Sequence, residues 1–168
     1  MLGPRYRDAD GRVAVTGGTG GGRMVAEPEI VGYVPGVFDM FHIGHLNILK
    51  RSRERCDVLI AGVVTDEACA GMKGYRPVVP FDERLEIVAA NRFVDQTLAD
   101  HSIDKRDAWA ECRFDVIFKG SDWHETDKGR RLEEEMAAIG VRVEYLPYTA
   151  HTSSTLLRQT LERLINAL

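Results

Sequence analysis

Two histidines, His42 and His45, flank Ile43-Gly44 in a chain of 168 residues, separated by two residues from the preceding Gly36-Val37-Phe38-Asp39. Side chains three apart at the start of a helix share one face. The glycine between them, Gly44, leaves the backbone open to a bulky anion. Free N–H groups at a helix start add positive potential. Two imidazoles and a helix terminus therefore form a donor set suited to a polyphosphate. Chance placement of the chain's five histidines and sixteen glycines gives roughly 0.014 occurrences of this HxGH spacing.

Other candidates lie further along. Thr152, Ser153, Ser154 and Thr155 bring four hydroxyls together, with Arg158 close behind. Ser153 suits the N-cap of a last helix, and capping is compatible with phosphate binding. Lys73 stands between Gly71 and Gly74 in a polar loop, as a solvated lysine or as a cation for phosphate. Arg92 precedes a strand and either pairs with Asp95 or acts on substrate. Asp122-Trp123 reads as a strand-end turn or as a nucleotide contact. Lys105 and Arg106 lie on a polar helix face as solvent charges, with Lys105 also a candidate for an acceptor phosphate. His101 and His124 have no partners in sequence, whereas His151 lies inside the hydroxyl-rich segment.

The elements that must hold these residues alternate. Apolar runs predict strands over 30–34, 57–64, 93–98, 114–118 and 141–146, the second of them continuous as in a strand buried on both faces. Periodic leucines, caps and glycine stops predict helices over 44–55, 82–91, 104–112, 130–139 and 153–168. The segment between 65 and 80, with Gly71, Gly74, Pro77 and Pro80, reads as a loop. Strands alternating with helices imply parallel pairing through right-handed crossovers, hence an α/β, three-layer Rossmann-like domain on a five-stranded parallel sheet. Ligands bind such sheets beyond the carboxyl ends of the strands, where the segments 35–45, 65–80, 119–128 and 147–155 fall.

Composition bounds the rest. One domain fits this length, and 44% hydrophobic with 29% charged residues is globular composition. A formal net charge of −4 gives no whole-surface attraction to nucleic acid or anionic membrane. No run of about 18 apolar residues exists, which argues against a membrane span. Cys56, Cys69 and Cys112 form no CxxC pair and read as reduced structural thiols of a cytoplasmic protein. Residues 1–29 hold Gly17, Gly18, Gly20, Gly21 and Gly22 and read as a flexible leader before a domain over 30–168. A dinucleotide turn there would need a helix straight after the glycines, and Pro28 follows too soon.

The stretch Gly36 to His45 resembles the GxFDxxHxGH signature of the nucleotidyltransferase superfamily, especially its cytidylyltransferase branch. Met72-Lys73-Gly74-Tyr75 resembles the lysine-glycine-aromatic loop of choline- and ethanolamine-phosphate cytidylyltransferases, and Glu83-Arg84 the pair that follows it. Arg92-Phe93-Val94-Asp95 is similar to the RYVD motif, and Gly120-Ser121-Asp122-Trp123 to the GDDW motif, of glycerol-3-phosphate cytidylyltransferases. Ser153 to Arg158 resembles the STxxx(K/R) signature. Tyr148 and His151 depart from the family's RTxGIST segment, where arginine and glycine stand. Sugar-phosphate adenylyltransferases of the ADP-heptose type carry an aromatic residue there and a KGGD stretch like Lys119 to Asp122.

The resemblance implies displacement at the α-phosphorus of CTP, or ATP, by a phosphorylated small-molecule acceptor, with Mg²⁺ accompanying the triphosphate and pyrophosphate leaving. His42, His45, Lys73 and Arg92 would act on the transferring group, and Lys73 would also touch the acceptor. Gly36, Val37, Phe38, Asp39, Gly44, Asp122, Tyr148, Thr152, Ser153, Ser154, Thr155 and Arg158 would hold the nucleotide. A homodimer is the expected assembly. Other readings are adenylyl transfer to a sugar phosphate and a non-catalytic nucleotide-binding module. The letters His42 to His45 also match an aminoacyl-tRNA synthetase motif, which would need a KMSKS loop and RNA-binding domains.

Overall fold

The computed structural model describes residues 6–7, 13–14, 29–149 and 152–167. Near the start, Tyr6–Arg7 (β1) pairs antiparallel with Val13–Ala14 (β2) inside the segment expected to be a leader. The rest of that segment up to residue 28 lies outside the described residues.

Val31–Gly36 (β3), Val58–Val64 (β4), Gln96–Asp100 (β5), Val116–Gly120 (β6) and Arg142–Leu146 (β7) form one parallel sheet in the order β5-β4-β3-β6-β7. Ile43–Arg53 (α1) and Phe81–Ala89 (α3) cover one face, where Leu49 and Val88 pack on Val34, Leu59, Val63 and Phe118. Lys105–Cys112 (α4) and Asp127–Ala137 (α5) cover the other, where Ala108, Leu132 and Met136 pack on Tyr33, Ile60 and Ile117. The three-layer, five-stranded parallel fold is thus as the sequence predicts. Ser154–Ile165 (α6) buries none of its residues and leaves Leu161, Leu164 and Ile165 exposed. No helix among the described residues is long and apolar enough to cross a membrane. The three cysteines are free, and burial pushes the thiols of Cys56 and Cys112 up to about 11 and about 12.

Strand order reverses between β3 and β6. β3 and β4 share six register pairs, and β6 and β7 share five. β3 and β6 share only two, Gly32 with Val116 and Tyr33 with Ile117, so the two strands part toward their carboxyl ends. That parting is the crevice in which sheets of this kind take ligands.

Several element bounds shift from expectation, and three of the departures have local reasons. Residues 66–73 form a helix (α2, Asp66–Lys73) rather than a loop, because Thr65 caps it by accepting from Ala68 N–H at 3.3 Å and Gly74 ends it at φ 73°. Asp66 and Glu67 in its first turn favour that start. β5 begins three residues later than predicted, because Asn91 and Asp95 turn the chain by accepting from Phe93 N–H and Leu59 N–H. α5 starts at Asp127 instead of Arg130, capped by Thr126 accepting from Gly129 N–H.

A single buried guanidinium ties the loops at the crevice together. Arg84, 1% exposed on α3, donates to Val79 O and Val64 O at 2.9 Å each, to Val37 O, and to Asp66 Oδ1 at 2.6 Å. One side chain thereby joins the ends of β3 and β4, the start of α2 and the loop before α3. Replacing it strands a carboxylate and three carbonyls. Arg84→Met should lower unfolding free energy by about 3–5 kcal/mol in urea titrations. Arg84→Lys should recover only part, since an ammonium cannot reproduce the planar fork. A loss under about 1 kcal/mol for Arg84→Met would contradict this assignment.

Candidate active site

His42 caps α1 with its own ring. Its backbone is extended (φ −136°, ψ 175°), and Nδ1 accepts from Gly44 N–H at 3.1 Å. The ring folds over the helix start, so a Cβ at position 44 would lie 2.9 Å from its Cε1. The histidine cap itself therefore demands glycine two residues on. An Nδ1 that accepts cannot carry the proton, so neutral His42 is protonated on Nε2. Nε2 lies 3.3 Å from Ser154 Oγ, whose hydroxyl donates to Asp39 O at 2.7 Å and so can accept from the imidazole.

His45 stacks on His42, with ring centroids 3.9 Å apart, and meets the edge of Phe38 at 5.2 Å. Burial, then His42 and Lys73, push its pKa down to about 3, and burial lowers that of His42 as well. Both rings are neutral near pH 7. The Nδ1 of His45 is buried with no hydrogen-bond partner among the described residues. A bare acceptor is better tolerated there than a bare N–H, which assigns this ring's proton to Nε2 too.

The second helix start arrives from the far end of the chain. Ser153 caps α6 by accepting from Leu156 N–H at 3.2 Å, and Asn47 donates to Thr149 Oγ1 at 3.0 Å across the gap. Thr152 O would stand 3.6 Å from a Cβ on Gly44. The N-termini of α1 and α6 thus converge at the His42–Ser154 contact, with Thr152, Ser153 and the exposed Thr155 around it. Two such termini with donors concentrate positive potential without a formal charge.

Part of the expected nucleotide set has partners within the protein. The Asp39 carboxylate accepts from Val78 N–H at 3.0 Å and Val79 N–H at 2.9 Å, clasping the loop before α3. Phe38 is buried in the core, and Val37 gives its carbonyl to Arg84. Phe38 and Met40 sit at φ 56° and 48°, a left-handed conformation that non-glycine residues rarely hold without support. These residues, following Gly36 at the end of β3, build the loop that carries His42.

The remaining candidates divide. Lys73 is the last residue of α2, not a loop residue, with Nζ 5.9 Å from the Tyr75 ring. Arg158 lies 3.7 Å over the same ring and 3.2 Å from Glu162. Tyr75 therefore gathers two cations at one edge, and its position in the lysine-glycine-aromatic stretch was the sequence signal for it. Tyr148 is half exposed; its N–H donates to Ser121 Oγ at 3.2 Å and its ring borders Gly120, against which Asp122 folds. Arg92 is not brought to the site. Its guanidinium lies 4.7 Å over Phe93 in the segment that bonds to Leu59, at the amino end of β4, whereas His42 follows the carboxyl end of β3. Asp95 pairs with Arg53 rather than Arg92. Lys105 is not a solvent charge: it is buried and donates to both oxygens of Asp100, at 2.9 and 2.7 Å, and to Ser102 O at 2.6 Å. Its donors are spent on the protein because Asp100, buried beside the Tyr33 hydroxyl, requires a counter-charge. His151 lies outside the described residues.

Known proteins resemble this chain in sequence and in fold. Residues 33–160 match the cytidylyltransferase-like family. The FAD synthase of Pyrococcus abyssi is 35% identical over 74% of this chain and 85% of its own length. The ethanolamine-phosphate cytidylyltransferase of Arabidopsis thaliana is 38% identical over 54% of this chain, a match spanning 22% of that longer enzyme. Among solved structures, the lipopolysaccharide core biosynthesis protein of Thermoplasma volcanium superposes with a TM-score of 0.62 at 27% identity, covering 74% of this chain and 99% of that one. With residues 33–160 matched and a 35%-identical relative covered over most of its length, the chain belongs to the cytidylyltransferase-like family of nucleotidyltransferases.

Proposed function

We propose that this protein transfers a nucleotidyl group from a nucleoside triphosphate to a small phosphorylated alcohol, with CTP as donor and a glycerol-3-phosphate-like acceptor. The observation that carries the reading is the convergence of two helix N-termini on the 3.3 Å His42–Ser154 contact, beside a second neutral imidazole. In the step itself, a phosphate oxygen of the acceptor bonds to the α-phosphorus. The bond from that phosphorus to the bridging oxygen breaks, and pyrophosphate leaves with the electron pair.

Such a reaction asks the protein for alignment and charge stabilisation rather than covalent participation. The Nε2–H groups of His42 and His45 would donate to the transferring phosphoryl group and the leaving oxygen. Ser153, Ser154 and Thr155, with the free N–H groups of α6, would hold the β and γ phosphates, and Arg158 would swing from Tyr75 to join them. Lys73, whose charge is felt at His45, would bridge the phosphates of the two reactants. Mg²⁺ would accompany the nucleoside triphosphate. That ion would offset charge between phosphate oxygens.

ATP is the second donor reading. Tyr148 stands where the CTP enzymes carry an arginine, and an FAD synthase, whose product contains an adenylyl group, aligns over 85% of its length. Homodimer formation belongs to the same proposal, supported by the uncovered Leu161, Leu164 and Ile165 on α6.

Pyrophosphate release, measured with CTP and with ATP over a panel of phosphorylated acceptors, tests the reading. Release with CTP is expected. Release only with ATP would transfer the assignment to adenylyl transfer, and release with neither would leave a nucleotide-binding module. His42→Asn or His45→Asn should each lower kcat by about 10²–10³. The neutral His45 also makes folding acid-sensitive. Its folded pKa is below the unfolded value, so its contribution is complete above about pH 6.5 and is lost as pH falls from there toward about 3. Wild type should therefore lose more stability than His45→Gln between pH 6.5 and 5 in denaturant titrations; equal losses would contradict a neutral His45.

A further inference from the structure

Lys119, which the proposed nucleotide machinery does not use, is the penultimate residue of β6, on the α4/α5 side of the crevice. Alternation along β6 fixes its side: Phe118 packs in the α1/α3 core, Ile117 in the opposite core, and Lys119 follows on the face of Ile117. Its register neighbour on β7 is Tyr145, whose hydroxyl donates to Glu133 of α5. On the other side, β3 has already parted from β6 beyond Tyr33 and Ile117. The side chain is partly buried, with Nζ 4.1 Å over the Trp123 ring.

No hydrogen bond or ion pair to that ammonium exists among the described residues. The nearest acids do not neutralise it. Asp100 already accepts from Lys105 through both oxygens and from Tyr33 Oη at 3.0 Å, and Asp122 folds against Gly120. Burial foremost, then Lys105 with a smaller push from Lys73, against attraction to Asp100 and Asp122, brings the Lys119 pKa down to about 7. A desolvated, uncompensated cation at the mouth of a ligand crevice is a vacancy for an anion.

Which anion follows from the geometry of displacement. Attacking and leaving oxygens stand on opposite sides of the phosphorus. The leaving pyrophosphate belongs to the α1 and α6 termini, on the α1/α3 face. The attacking phosphate must come from the other side, where Lys119 is an uncommitted cation among the described residues; the field of Lys73 reaches both His45 and Lys119.

We propose that Lys119 binds the phosphomonoester of the acceptor, on the α4/α5 side of the crevice, and so sets where that acceptor sits. The inference rests on the nucleotidyl-transfer reading, and its test separates the two. Lys119→Met keeps the aliphatic stem over Trp123 while removing the charge. With ¹³Cε-labelled lysine, the Lys119 resonance is identified by its absence in that variant. Sulfate, doubly charged throughout pH 5–9, serves as probe, with pyrophosphate present to fill the opposite subsite. Saturating sulfate should raise the Lys119 titration midpoint; an identical titration with and without sulfate would overturn the inference. In turnover assays Lys119→Met should raise the acceptor KM by about ten- to a hundredfold and leave the nucleotide KM within about twofold, with partial rescue by Lys119→Arg. A rise in the nucleotide KM instead would also overturn it. If no nucleotide supports turnover, the transfer reading fails, and the sulfate titration still decides for or against Lys119.

Discussion

Everything at the carboxyl edge of this sheet hangs on one buried guanidinium. Arg84 is buried, so its donors must be met inside the fold. Three carbonyls and the Asp66 carboxylate meet them, and these come from three separate segments, at 37, 64–66 and 79. A planar fork with fixed donor directions holds those segments in one arrangement. Asp39 adds a second clasp through the amides of Val78 and Val79. Between the two, the chain after β3 is held with Phe38 and Met40 left-handed, a strain of about 1–3 kcal/mol per residue that only an over-determined surrounding sustains. The consequence is positional: His42 is delivered to the start of α1 with its ring already turned over Gly44.

The electrostatics of the crevice follow from that delivery. Neither histidine is charged, so the positive potential over α1 and α6 comes from helix termini and N–H donors. Fixed donors in a partly dry site need no reorganisation when charge develops, which is where they are most effective. Formal charge is set around them instead. Arg158 and Lys73 meet at Tyr75 on one side, and Lys119 stands over Trp123 on the other. In the proposed reaction this separates two anions that would otherwise repel, one on each side of the phosphorus. Arg158 rests on an aromatic ring rather than an acid that would compete strongly for it, although Glu162 is 3.2 Å away.

Sequence reasoning reached the architecture because its signals are local. Continuous apolar strands, periodic helices and glycine stops repeat along the chain, and the five-stranded sheet needed nothing more. The HxGH pair was legible because spacing alone puts both rings at a helix start. Burial was not legible. Lys105 reads as a polar helix position, and only the meeting of α4 with Asp100 and Tyr33 removes it from solvent. Arg92 looked functional by motif, yet α3 runs back along the sheet and leaves it at the far edge. Asp39 reads as a ligand contact, but its neighbours in space, Val78 and Val79, are about forty residues away. The α2 helix reads as a loop because two glycines and two prolines in the segment outweigh the capping signals of Thr65, Asp66 and Gly74.

The central claim is that His42 and His45 present neutral Nε2–H donors to a triphosphate. Long-range ¹H–¹⁵N correlation spectra of the imidazole rings, recorded at pH 7 with and without Mg²⁺ and CTP or ATP, address it directly. The account predicts the Nε2–H tautomer for both rings in the free protein, with both Nε2 resonances moving as nucleotide binds. Charged rings, an Nδ1–H tautomer on His42, or resonances indifferent to both nucleotides would contradict it.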